Sequence, residues 1–298
     1  MRIGLITSDP SHPLLSLTTA LLAPDHQVDV LDPRTPPPVP EPLADVYLLK
    51  ARTPPALALA RTLERRHACV INSAAATELC QDRTSMAALA LGSGLPFAAT
   101  RTFSTLARLA SGPALSGPAV VKSRHSRRHD VVARVDSPAQ LRDLAAAHPD
   151  EPVVVQDLVP NDGWDHKLWA IGDRLFAGLR RSELSPEGRG PTQALRLDDL
   201  PPGWTALVHR VGEVFSLDVY GVDIIDSGHG APLIVDINAF PGIRGQSGAP
   251  EALAALALSR ADGAGADRSP CRGAGDTGRS GRDRLARRAP SCESAAEA

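Results

Sequence analysis

The first hundred residues alternate short apolar runs with longer stretches of helical spacing. Residues 3–6, 28–31, 46–49 and 69–71 have the length and composition of buried strands. Between them, residues 14–22, 54–65 and 82–91 place apolar side chains at helical intervals. Strands alternating with helices predict a parallel, doubly wound sheet over residues 1–105. No G-x-G-x-x-G follows the first strand, so nothing indicates a dinucleotide site.

The pattern then changes. Residues 119–122 and 131–135 read as strands around a basic loop, Ser137 caps a helix over 137–147, and residues 152–156 form a further strand. This predicts a small α+β subdomain over 106–160. Strands at 167–171, 174–180, 220–225 and 233–237, with helices at 204–215 and 249–258, predict a second α+β subdomain over 161–260. Residues 261–298 are mostly Gly, Ala, Ser, Asp and Arg, with Leu285 the lone large aliphatic side chain. Such a segment buries too little surface to offset its ordering entropy, so a disordered tail is expected.

Composition narrows the function classes. The net charge is −2, from 32 basic and 34 acidic residues, which gives no global attraction to nucleic acid or membrane. The four cysteines include no C-x-x-C pair, so zinc is not indicated. The chain opens directly on a strand pattern, with no apolar leader and no run long enough to span a bilayer, and a cytoplasmic location is expected. Lysine occurs only at Lys50, Lys122 and Lys167; the other 29 basic residues are arginine. A compact ammonium differs most from a guanidinium where a point charge meets a phosphate, which draws attention to these three positions.

Candidate chemistry concentrates in two late strands. Asp236 and Asn238 are two apart and share a face of their strand, and Asp223 stands on what would be the neighbouring antiparallel strand. Three hard oxygen donors at the end of a hairpin suit Mg2+ bridging two phosphates.

Asp223 and the Asp236-x-Asn238 pair, followed by Pro241-Gly242, resemble the metal hairpin of the ATP-grasp superfamily. The resemblance continues upstream in order over roughly residues 45–250. It implies an α/β ATP-grasp architecture, in which a doubly wound parallel sheet domain precedes two α+β subdomains enclosing ATP. It implies ATP and Mg2+ as cofactors, with Mn2+ as a substitute. Asp223, Asp236 and Asn238 would hold the metal. Lys122 would touch the α- and β-phosphates, and Gln156, Asp157, Leu158 and Val159 would form the hinge around adenine. Arg83 stands where many members have a lysine. Lys167 lies near the substrate position, and Arg181 is assigned to charge developing on the transferring phosphoryl group. The family's Gly-rich flap is replaced here by the basic loop 123–129, which could reach phosphates through Arg124, Arg127 and Arg128 or be a solvated turn.

Two acceptor chemistries fit this resemblance. In carboxylate–amine ligases similar to the ribosomal-protein glutamate ligases, a carboxylate attacks ATP and an amine then displaces phosphate. In kinases similar to the inositol trisphosphate kinases a hydroxyl attacks, and Lys50 would face the substrate. The ligase is preferred, acting on a small-molecule or peptide substrate, without nucleic acid or membrane, as a monomer or a homo-oligomer. A non-catalytic nucleotide-binding module is the alternative outside the enzyme class.

Overall fold

The computed structural model describes residues 1–35, 39–127, 130–185, 188 and 190–266. The first region contains β1 (Arg2–Ile6), α1 (Pro13–Leu22), β2 (Gln27–Leu31), β3 (Val46–Leu49), α2 (Pro54–Arg65), β4 (Val70–Ile71), α3 (Ala74–Leu79) and α4 (Arg83–Gly92). Next come β5 (Thr100–Phe103), α5 (Leu106–Ala110), β6 (Ala119–Ser123), β7 (Val132–Val135), α6 (Pro138–Ala147) and β8 (Val153–Asp157). The chain continues through β9 (Trp164–Ile171), β10 (Arg174–Arg181), β11 (Thr192–Leu195), α7 (Trp204–Phe215), β12 (Val219–Asp226), β13 (Pro232–Ala239) and α8 (Ala249–Ala266).

These strands form three sheets. The first is parallel, in the order β2-β1-β3-β4, as the alternation of strands and helices requires. The second is antiparallel, β5-β8-β6-β7, and the third is antiparallel, β11-β10-β9-β12-β13. β5 pairs with β8 and so joins the middle sheet, although its residues fall inside the segment 1–105. α8 packs on α1 and β3, beneath the first sheet. It continues to Ala266 with Ala261 buried, which corrects the expectation of disorder for residues 261–266. The rest of that tail lies outside the described residues. No described helix is long and apolar enough to cross a membrane.

The third sheet has two unlike faces, as an antiparallel sheet with one buried side should. Leu168, Ala170, Val222, Ile224, Ile234 and Ile237 point into a core closed by α4 and α7. The other face carries charges and looks toward the middle sheet. Asn72, after β4, locks the first sheet to the third. Its side chain accepts from the Asp218 and Val219 N–H groups at 2.8 and 3.0 Å and donates to the Val219 carbonyl at 2.7 Å.

Candidate active site

A cleft lies between the second and third sheets. Its upper wall comes from β6 and β8. In β6, Ala119 and Val121 face the core of their own domain, so Val120 and Lys122 face the cleft. Ala98, Val120, Leu158, Val159, Ile225 and Leu233 make one end apolar, a surface suited to a flat base. Gln156 is buried there and donates to Thr100 Oγ1 at 3.0 Å. Leu158 spends its backbone N–H on the Pro118 carbonyl, and Asp157, also at the rim, pairs with Arg101.

The lower wall is the charged face of the third sheet. Strand register aligns Arg180 with Asp165, and Lys167 with Asp223, while Asp223 is paired with Asp236. Lys167 Nζ lies 2.5 Å from Asp223 Oδ2 and 3.5 Å from Asp165 Oδ2. Arg180 is 3.7 Å from Asp165. Arg83, at the start of α4, donates to the Ser123 carbonyl and to Asp130 and stands 3.5 Å from Asp236. Lys122 Nζ donates to the Val235 carbonyl at 2.9 Å.

A β-bulge makes that last bond. The register between β12 and β13 slips after Asp223, so that Asp223 pairs with Asp236 but Ile224 with Ile234. Val235 is the extra residue. It and Asp236 consecutively line the cleft, while Ile234 and Ile237 are fully buried on the other side.

Burial and charge set the protonation tendencies. Burial pushes the Asp223 carboxyl above its usual range, and Lys167 pulls it back. Burial pushes the Lys122 ammonium below its ordinary value, against the attraction of Asp236. Burial likewise disfavours the Arg83 charge, but Asp236 and Asp130 more than compensate and hold it charged. Four cationic side chains, Arg83, Lys122, Lys167 and Arg180, therefore converge beside two carboxylates that share a hairpin. Among the described residues no group of three or more His, Cys, Asp or Glu could hold a metal alone. The donor set still fits Mg2+, which takes a few protein oxygens and completes its shell with water and phosphates.

The expected residues map onto this geometry as follows. Lys122, Gln156, Asp157, Leu158, Val159, Arg83, Lys167, Asp223 and Asp236 line the cleft. Asn238 lines a larger, more open polar cavity that shares Arg83, Lys167, Arg180, Asp223 and Asp236 with the cleft. Arg181 is the exception: Arg180 lines both spaces, whereas Arg181 stacks over the Trp164 ring at 4.7 Å. Of the two arginines, Arg180 is therefore the one that reaches the cleft. The signal was in the strand. Leu175 and Ala177 face the core, Arg181 is in phase with them, and Arg180 is in phase with the opposite face. In the loop 123–129, Arg124 pairs with Asp82 and Arg127 with Glu151, while residues 128 and 129 lie outside the described residues.

Sequence reasoning missed Trp169. It lines the larger cavity between Gly178 and Gly221 on the flanking strands. A Cβ at Gly221 would come within 3.0 Å of the Trp169 ring, and one at Gly178 within 3.1 Å. The two glycines leave the room in which the indole lies.

Solved structures share this architecture. An ATP-grasp protein with a RimK domain from Sphaerobacter thermophilus superposes with a TM-score of 0.65 at 21% identity, covering 87% of this chain and 100% of that one. The chain has the ATP-grasp fold. D-alanine–D-alanine ligase from Bacillus anthracis, in complex with ATP, gives 0.65 at 14% identity over 88% of this chain and 99% of that one. The ATP-grasp ligase PsnB, in complex with a minimal precursor, Mg and ADP, gives 0.64 at 16% identity over 87% and 97%. By sequence, a probable α-L-glutamate ligase of Hahella chejuensis is 31% identical over 137 residues, 43% of this chain and 44% of that protein. Another, from Shewanella baltica, is 31% identical over 103 residues, 33% of each. The matched stretches thus span less than half the length of these curated relatives. No protein-family model matches the chain.

Proposed function

We propose that the protein is an ATP- and Mg2+-dependent carboxylate–amine ligase. The observation that carries this is the convergence of Lys122, Lys167, Arg180 and Arg83 with Asp223 and Asp236 beside an apolar end of the same cleft. The names of the sequence relatives, probable α-L-glutamate ligases, support a ligase over a kinase.

Phosphoryl transfer needs positioning and neutralisation of spread negative charge more than covalent help from the protein. Gln156, Asp157, Leu158 and Val159 border the adenine end, and Lys122 meets the α- and β-phosphates. Asp223, Asp236 and Asn238 would hold Mg2+, which would supply neutralisation of phosphate charge. Arg180 and Lys167 stand on the same sheet face, where charge develops on the transferring group. An acceptor carboxylate oxygen forms a bond to the γ-phosphorus as the bond to ADP breaks. An amine then attacks the acyl carbon, loses a proton, and phosphate leaves. Trp169 and the larger cavity give these reactants room beyond the γ-phosphate.

The test is product analysis with the purified chain, ATP and Mg2+ over a panel of amino acids, dipeptides and inositol phosphates. The ligase requires ADP with equal free phosphate only when carboxylate and amine are both present. ADP without free phosphate, with a phosphorylated inositol, identifies a kinase instead.

A further inference from the structure

The acceptor side of the cleft carries a second cationic group that the phosphoryl chemistry does not use. Arg52 follows β3 and Arg244 follows β13, and both line the larger cavity. Among the described residues neither guanidinium has a hydrogen-bond or ion-pair partner, whereas Arg83, Arg127 and Arg180 around the same space all do.

Two further bases stand behind them. Lys50 donates to the Phe240 carbonyl at 2.8 Å and lies 5.6 Å from that ring, with two ammonium hydrogens left over. Phe240 holds a φ of 43°, a left-handed turn that sends Pro241–Arg244 back under the first sheet. His12 is 7% exposed, its Nδ1 has no partner, and its Nε2 lies 3.7 Å from the Cβ position of Gly242. The acid whose charge reaches this group is Asp9, which is bonded to Ser11. Burial together with Arg52 and Arg244 makes the Lys50 charge costly, which an arriving anion would relieve.

We propose that Arg52, Arg244 and Lys50 form an anion subsite, and that the acceptor carries a carboxylate or phosphate group remote from its reacting atom. This deepens the ligase reading and rests on it. Each guanidinium presents forked donors of the kind that bind such oxygens bidentately, and both line the same cavity. The subsite would fix which end of a polyanionic acceptor faces Asp223 and Arg180.

The test is isothermal titration of the full chain, saturated with AMP-PNP and Mg2+, with acetate, tricarballylate and inositol hexakisphosphate. At least one polyanion should bind saturably and at least roughly tenfold more tightly than acetate. Preference for tricarballylate assigns carboxylate chemistry, and preference for inositol hexakisphosphate assigns phosphate. Arg52→Gln and Arg244→Gln should each weaken that binding roughly tenfold or more, while Arg142→Gln, on the far side of the middle domain, should not. Equal weakening by all three variants, unchanged affinity in the first two, or no polyanion binding overturns the subsite. Titration with AMP-PNP alone judges the ATP reading separately. If the nucleotide fails to bind, the polyanion titrations run without it and still decide the subsite.

Discussion

Lys167 and Asp223 face each other across β9 and β12, with Nζ 2.5 Å from Oδ2. The pair keeps a buried carboxylate neutralised within the protein. On the proposed reading, a bound Mg2+ would take over that role and free the ammonium for phosphate, and both residues would serve one exchange of charge.

Asp223→Asn removes the anion and keeps the shape. It should cut Mg2+-dependent ADP release by roughly a hundredfold or more, a loss typical of a deleted charge-stabilising group. It should also abolish any rise in Tm on adding Mg2+ with AMP-PNP. Unchanged turnover would remove Asp223 from the metal site.

Arg180→Ala and Arg181→Ala should separate cleanly. The first deletes a guanidinium in the cleft and should lower kcat by roughly a hundredfold. The second deletes, among its contacts, a cation–ring contact at a partly buried site, worth roughly 0.5–2 kcal/mol, and should leave kcat within about twofold. Single-turnover kinetics with denaturation midpoints would check both. Equal kinetic loss in the two variants would contradict the strand phase described above.

Asn72→Leu strips three buried hydrogen bonds and strands the N–H groups of Asp218 and Val219 at the start of β12. Leaving buried donors unpaired costs about 1–3 kcal/mol. Chemical denaturation should show a loss in or above that range. A loss below about 0.5 kcal/mol would mean that water reaches the seam.

Lys50 provides a pH signature. Burial, with Arg52 and Arg244 nearby and Asp9 opposing, lowers its ammonium pKa from 10.5 to about 8. Between these values the unfolded chain binds the extra proton, so this group's contribution to stability rises with pH from about 8 to 10.5. The whole effect is at most about 3 kcal/mol. Lys50→Met lacks this term, so its Tm should gain less than the wild type's as pH increases over that window. Parallel Tm curves would refute the shift.

The amino-acid sequence by itself determined the local features of this protein. Helix spacing in residues 54–65 gave α2 its observed bounds, Pro54–Arg65. Asp223 and the Asp236-x-Asn238 pair mark a hairpin whose polar atoms interrupt apolar runs, and two of the three lysines stand on cleft-facing strand positions. Such features follow from residue type and a period of two or 3.6.

Only the tertiary structure decided the rest. Alternation says that Arg180 and Arg181 point apart, but pairing with Asp165 on β9 gives Arg180 the cleft. The bulge at Val235 is invisible in an apolar run, because it depends on register with β12. The contact of Lys122 with the Val235 carbonyl spans 113 residues, and Arg52 and Arg244 meet one cavity from opposite ends of the chain. Sequence periodicity assigns a side chain to a face, whereas long-range packing determines what that face meets.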